Sequence, residues 1–359
     1  MVNARHSISR ELSRQLAAMS FICTCLVVFL HSYTTGIVNG RADVVVLNAN
    51  TFVQEFVSQG ICRVAVPFFF FSFGLLLFRD YEPSWEWTKR KWGRRIRSLL
   101  IPYLLWCVFG SLFIYTLNFF HALAYNRSLS ELGFSPGSLV WWDGLFGVSC
   151  FPVKMYHLWF VKVLLIYVAL APALGYMLAH TAWAVPCGAL LLYAWPDTPH
   201  WLAMSLLFIS CGACVSIHGN PEVLCQRPSG WAVAGLLLSW MGLCACKALM
   251  TLHEVANERI FHLGQVGILV GVVALWLAVG VVAWPEFLRR QVFVFSFFVY
   301  CMHFPFYGYI GAVMKRMPFS SPLLYWFLVP LCNLCLCLAT AFLLKRHAPV
   351  IYKLLSGGR

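Results

Sequence analysis

Charge is scarce in this chain. Asp, Glu, Lys and Arg make up 11% of its 359 residues and only 13 are acidic, against 61% apolar residues and a mean hydropathy of +0.76. That leaves too little polar surface to cover a water-soluble fold of this length, and the composition specifies a polytopic membrane protein instead. The signatures of several soluble enzyme classes are missing too: there is no Gly-x-Ser-x-Gly elbow, no phosphate-cradling Walker loop and no His-Glu-x-x-His metal site. Acids are absent from the middle of the apolar runs, which argues against a simple carboxylate-based proton or sodium carrier. No internal repeat or low-complexity linker is visible, so residues 1–359 read as one membrane domain.

Cysteine is plentiful, at 15, but most of it lies inside apolar runs, where it behaves as a small hydrophobe. That pattern points to neither a zinc site nor a disulfide framework; Cys62 and Cys150 are the one pair placed near the outer face. The formal charge of +13 sits in short loops between hydrophobic spans, as topology signals do, and so points to a membrane surface rather than nucleic acid. The first apolar run lacks a small-residue cleavage site and does not read as a cleavable signal peptide.

Ten apolar runs predict an all-α bundle of about ten transmembrane helices. They cover Leu16 to Tyr33, Cys62 to Phe78, Leu99 to about Phe119, and then 156–178, 180–195, 200–217, 229–250, 264–284, 292–314 and 322–344. Pro186 interrupts the short fifth run. The densest basic stretch, Arg79 through Arg97, falls between the second and third runs and should be cytoplasmic. With an even helix count both termini are cytoplasmic, and most of the Lys and Arg residues then lie inside. A loop of about 120–155, which contains Trp141, Trp142 and Asp143, is too long for a passive connector and is expected to form a lid or an acceptor-binding surface.

The polar residues inside these spans are the candidates for chemistry. His31 lies about 15 residues, or ~22 Å, along the first helix, where an imidazole is costly unless it faces the bundle interior. Arg63 and His157 begin helices at the same outer depth, Lys162 lies deeper, and Tyr300 and His303, three apart, share a helix face. A pocket of His31, Arg63, His157 and His303 open to the outer side is expected, with Arg94, Arg95 and Arg97 offering guanidinium forks to phosphates on the cytoplasmic face. Each has a plainer reading: His157 beside Trp159 as an interfacial anchor, Arg63 and Lys162 as snorkelling cations, Lys89 to Arg97 as a headgroup contact, and His31 as a helix-bridging histidine.

Five ordered segments resemble the acyltransferase 3 family of ten-helix membrane enzymes, which includes bacterial O-acetyltransferases of surface glycans. Residues 24–32, TCLVVFLHS, are similar to its first helix with its histidine, and 63–78, RVAVPFFFFSFGLLLF, to its arginine and aromatic Phe-Phe-x-x-Ser-Gly segment. Residues 94–106, RRIRSLLIPYLLW, resemble its basic run into Ile-Pro-Tyr-x-x-Trp; 157–172, HLWFVKVLLIYVALAP, its His-Leu-Trp-Phe helix; and 299–306, VYCMHFPF, its Tyr-x-x-His-x-Pro element. Two positions depart from the pattern: Ser20 stands where the family carries a cation eleven residues before the histidine, and Phe73 splits the Ser-Gly pair.

The resemblance implies transfer of an acyl group, most simply acetyl, from cytoplasmic acyl-coenzyme A to a hydroxyl of an extracytoplasmic or lipid-linked glycan. In that reading His31 and Arg63 are catalytic, with His31 the general base; Ser72, His157, Trp159, Tyr300 and His303 bind substrate; and Arg94, Arg95 and Arg97 hold the donor. Acyl-coenzyme A is a co-substrate and no tightly bound cofactor or metal is implied. A transporter of a small molecule or glycan on the same fold is the alternative, and the second family of membrane-bound O-acyltransferases is less favoured because His31 lies on the first helix.

Overall fold

The computed structural model describes residues 9–33, 48–125, 155–253, 257–314 and 321–358. Among them the chain is helical throughout, with no strands. The helix α1 spans Arg10–Leu30, and its start is fixed by Ser9, whose Oγ accepts from the Leu12 N–H at 3.1 Å while its own N–H donates to Glu222 at 2.8 Å. The second span, α2, runs Ala49–Leu77 and is capped by Asn48, whose side chain accepts from the Thr51 N–H at 2.9 Å. It therefore begins well before the apolar run at Cys62. Thr51, Gln54, Glu55, Ser58 and Gln59 dilute the hydropathy of a segment that is nonetheless helical.

The third helix, α3, opens as Trp85–Arg95, passes through a π turn at Ile96–Leu100 and continues as Ile101–Tyr125. The basic stretch is thus the helical approach to a span rather than an extended loop. Next come α4, Trp159–Ala169, and α5, Ala171–Thr181, bent by 69° into a broken pair, followed by the short α6, Ala184–Ala194. The remaining helices are α7, His200–His218; α8, Gly230–Leu252; α9, Asn257–Val281; α10, Ser296–Met314; α11, Pro322–His347; and a seven-residue α12, Pro349–Leu355.

Among the described residues seven helices are long and apolar enough to cross a membrane, or eight if the bent pair is one span, where ten runs were expected. Of the expected runs, 180–195 corresponds to α6, whose 11 residues are too few to cross alone. The segment 126–154, the greater part of the expected outer loop, with Trp141, Trp142, Asp143 and Cys150, lies outside the described residues, whereas Cys62 is a buried free thiol.

Two compact units are built from interleaved stretches of chain. The first comprises Met1–Thr88, Leu170–Ser296 and Phe319–Pro330; the second Lys89–Ala169, Phe297–Pro318 and Leu331–Arg359. Within the first, α2 and α7 cross so closely that a Cβ on Gly74 would meet the Ile209 carbonyl oxygen, and one on Gly212 the Phe71 carbonyl oxygen. Small residues are what allow membrane helices to approach to backbone contact, and Ser216 exploits it by donating to the Leu75 carbonyl at 2.6 Å. Gly74→Val is therefore expected to destabilise this crossing by at least about 2 kcal/mol, because the obstructing atoms are backbone and cannot rotate away. Thermal unfolding in detergent, compared with the exposed Gly188→Val, checks this.

The units differ in charge. In the first, Arg227 pairs with Glu11, Lys247 with Glu55, and both Arg289 and Arg290 with Glu286. The hydrogen bond from Arg290 and the charge of Arg289 hold the Glu286 carboxyl below its ordinary range. The described residues of the second unit include Lys89, Arg90, Lys91, Arg94, Arg95, Arg97, Lys162, Lys345, Arg346 and Lys353, and not one Asp or Glu.

Candidate active site

His31 closes α1. Its backbone remains helical, at φ −78° and ψ −7°, and its N–H donates to the Val27 carbonyl at 3.2 Å. The turn that carries it is held by convergence on one acceptor: the Phe29 carbonyl takes the Ser32 N–H at 3.1 Å, the Ser32 hydroxyl at 2.6 Å and the Ser58 hydroxyl of α2 at 3.0 Å. Trp326 then donates its indole N–H to Ser58 Oγ at 3.1 Å and packs edge-on against Phe29 at 5.9 Å between centroids. The imidazole itself is half-buried. These backbone and hydroxyl contacts fix the turn on which His31 sits.

Two residues beyond His31, Tyr33 donates its hydroxyl to Glu55. Glu55, 3% exposed, also lies 3.7 Å from the Lys247 ammonium, which is 17% exposed. The pairing depends on a local irregularity of α2, whose residues Glu55–Gly60 form a π turn packed on α8. A Cβ on Gly60 would lie 3.0 Å from Cys244 Cβ, one turn before Lys247, so glycine there lets α2 approach α8 closely enough for the ion pair to form. Glu55 thus lies buried in the polar opening turns of the 49–77 helix, ahead of the apolar run at Cys62.

Arg63, on the same helix, keeps accessible surface. Its Nε donates to Gln59 Oε1 at 2.9 Å and its Nη2 to the same oxygen, which directs the guanidinium one turn back toward the end of α2 where Glu55 lies. There it is within electrostatic reach of Glu55, Tyr33, Lys247 and His200. A cation with accessible surface inside an apolar span needs water or a polar ligand to meet it. The first unit thus joins Tyr33, Glu55 and Lys247, with Arg63 about two turns further along α2. Ser72 is two and a half turns further along α2, and its hydroxyl donates to the Phe69 carbonyl at 3.1 Å.

The second unit gathers the other expected substrate-binding residues. His157 and His303 are 2% and 0% exposed, with ring centroids 5.0 Å apart. His157 Nε2 lies 3.1 Å from the Cys301 carbonyl, Tyr300 donates its hydroxyl to the His157 carbonyl at 2.5 Å, and His303 Nδ1 is 2.6 Å from the Tyr300 carbonyl. Asn333 of α11 completes the cluster by donating to the His303 carbonyl at 2.8 Å. Trp159 is half-buried beside it on α4.

On α3 the three arginines split by face. Arg94 and Arg97 are exposed, whereas Arg95 is half-buried on the side of the helix that holds the buried Lys91. Trp92 anchors that segment through an indole hydrogen bond of 2.8 Å to the Val168 carbonyl. Sequence reasoning missed Tyr33, Glu55, Ser58, Trp326 and Asn333. The Asn48 cap was the available signal that α2 starts early enough to include Glu55 and Ser58.

The fold is that of a many-times-spanning helical membrane protein with charged side chains inside its spans, and similarity to known proteins gives its class. Residues 16–342 match the model of the acyltransferase domain, and the chain belongs to this acyltransferase 3 family. It is 26% identical over 330 residues to the succinoglycan biosynthesis protein ExoH of Rhizobium meliloti (strain 1021), an alignment that covers 86% of this chain and 82% of the relative. No solved structure matches.

Proposed function

We propose that this membrane acyltransferase moves an acyl group, most simply acetyl, from cytoplasmic acyl-coenzyme A to a hydroxyl of an extracytoplasmic or lipid-linked glycan. The His31 turn carries the reading: its Phe29 carbonyl is held by Ser32 and Ser58, and Ser58, which accepts from Trp326, precedes Arg63 on α2 by five residues. His31 takes the hydroxyl proton as the oxygen attacks the thioester carbonyl; the carbon–sulfur bond breaks and the coenzyme A thiolate leaves. Arg63 meets the negative charge that develops on the carbonyl oxygen. Arg94, Arg95 and Arg97 hold the donor's phosphates, while Ser72, His157, Trp159, Tyr300 and His303 shape the acceptor side. The relative's part in succinoglycan biosynthesis supports a glycan acceptor, and the basic start of α3 supports a cytoplasmic donor with both termini on that face.

The test is transfer of label from radiolabelled acetyl-coenzyme A in inverted membrane vesicles. Label is expected in a glycan or lipid fraction, and Arg94→Gln with Arg97→Gln is expected to raise KM for the donor about tenfold or more, as for loss of a charge-assisted phosphate contact. A second reading has one observation in its favour: Glu55 is a buried carboxylate within a span, as proton-coupled transporters use. If no acyl donor is consumed while a glycan still crosses the membrane, the transporter reading replaces the first.

A further inference from the structure

The short helix α12 is docked, and it brings the C-terminal cations to the start of α3. Tyr352, 3% exposed, packs its ring 5.7 Å from Phe298, and Trp106 donates its indole N–H to the Leu355 carbonyl at 2.9 Å. Gly357, at φ +71°, lies against the Ser98 carbonyl, next in sequence to Arg97, while the Gly358 N–H closes the helix on the Lys353 carbonyl at 2.8 Å. Lys345 reaches back over the Tyr352 ring at 5.9 Å, so the end of α11 and α12 fold onto one another. Each of these contacts lies within the second unit. Lys353 is exposed about one turn before Gly357 and Arg346 is exposed at the end of α11, while Arg94 and Arg97 are exposed in the turn before Ser98.

We propose that α12 completes a phosphate-binding platform, in which Arg346 and Lys353 form one side and Arg94 and Arg97 the other. Four exposed cations on a unit whose described residues contain no acid create a positive field that favours a polyanion, with Glu86, two turns before Arg94 on α3, the nearest acid along that helix. The ligand chemistry is a clustered phosphate, either the 3′-phosphate and pyrophosphate of a coenzyme A thioester or the headgroups of anionic lipid. The coenzyme A arm rests on the acyltransferase reading above, and the lipid arm does not. Val350, Ile351 and Leu354 are exposed on the far side of α12, which places this helix at a membrane interface, where both sources are within reach. The docking explains the glycine: a Cβ at position 357 would strike the Ser98 carbonyl and strain a left-handed backbone.

The experiment measures binding of adenosine 3′,5′-bisphosphate to the full-length protein in phosphatidylcholine nanodiscs, and in parallel its retention of phosphatidylglycerol from mixed discs. Arg346→Gln with Lys353→Gln is expected to weaken one of the two by about tenfold. Lys353→Arg should preserve it, and Gly357→Ala, which leaves every charge in place but undocks α12, should reproduce the loss. A fall in bisphosphate affinity assigns the platform to the donor, and a fall in lipid retention alone assigns it to the membrane. If both are unchanged in the charge variants while Arg94→Gln with Arg97→Gln weakens bisphosphate binding, the C-terminal half of the platform is overturned and the donor role of α3 stands. Binding is read without turnover, so failure of the acyl-transfer assay would not imitate either result.

Discussion

His31→Ala is expected to lower acyl transfer by about 10²- to 10⁴-fold, the range that a positioned general base contributes, with the protein still folded. The side chain is half-buried, and the Ser32 and Ser58 hydrogen bonds that hold its turn end on the Phe29 carbonyl, so the variant retains those bonds. Rates of label transfer at matched membrane content check this, with thermal unfolding alongside to confirm the fold. Ser58→Ala offers a graded companion: it removes the hydroxyl between Trp326 and Phe29, and is expected to lower kcat several-fold with little change in the donor KM. Full activity in His31→Ala would remove the general-base role outright.

The largest expected loss of stability is at Glu55. Glu55→Ala leaves the Lys247 ammonium without its carboxylate in a site that is mostly out of solvent, and removal of one partner from a buried pair costs about 3–5 kcal/mol. Tyr33 loses its acceptor in the same substitution. The double variant Glu55→Ala with Lys247→Met should recover much of the loss, since neither charge then remains, and thermal unfolding of Glu55→Ala, Lys247→Met and the double measures the coupling. Additive effects would mean that the two side chains do not interact. Activity separates two roles: a purely structural pair predicts near-normal turnover in the double variant, whereas a charge used in chemistry predicts that stability returns and turnover does not.

The sequence showed where spans lie far better than where helices begin. Hydropathy located the cores of α1, α7, α8 and α11 to within a few residues, because lipid selects apolar residues regardless of what the other helices do. The same criterion failed at α2 and α3, whose first turns are polar or basic: Asn48 to Gln59 and Trp85 to Arg97 are helical for reasons of capping and packing that hydropathy does not record. The break between α4 and α5 was equally hidden, since Leu170 at the bend is as apolar as the helices it joins.

His31, Arg63, His157, Tyr300 and His303 stood out in the sequence because polar groups are expensive in lipid. What they do with their polar atoms did not. The carbonyls that accept from His157 and from Tyr300 belong to residues far away in the chain, as do the partners of Glu55 and Ser58.

By itself, then, the sequence determined the membrane class, the cores of most spans, the family and the residues too polar to be incidental. Each of these depends on local composition or on short ordered motifs. Only the tertiary structure decided that Glu55 meets Lys247 across a π turn, that the Phe29 carbonyl anchors the His31 turn, and that α12 returns to Ser98. These depend on which helix faces come together and how closely, and that is set by side-chain volume and backbone irregularity at Gly60, Gly74, Gly212 and Gly357, where the absence of a Cβ leaves the space for contact.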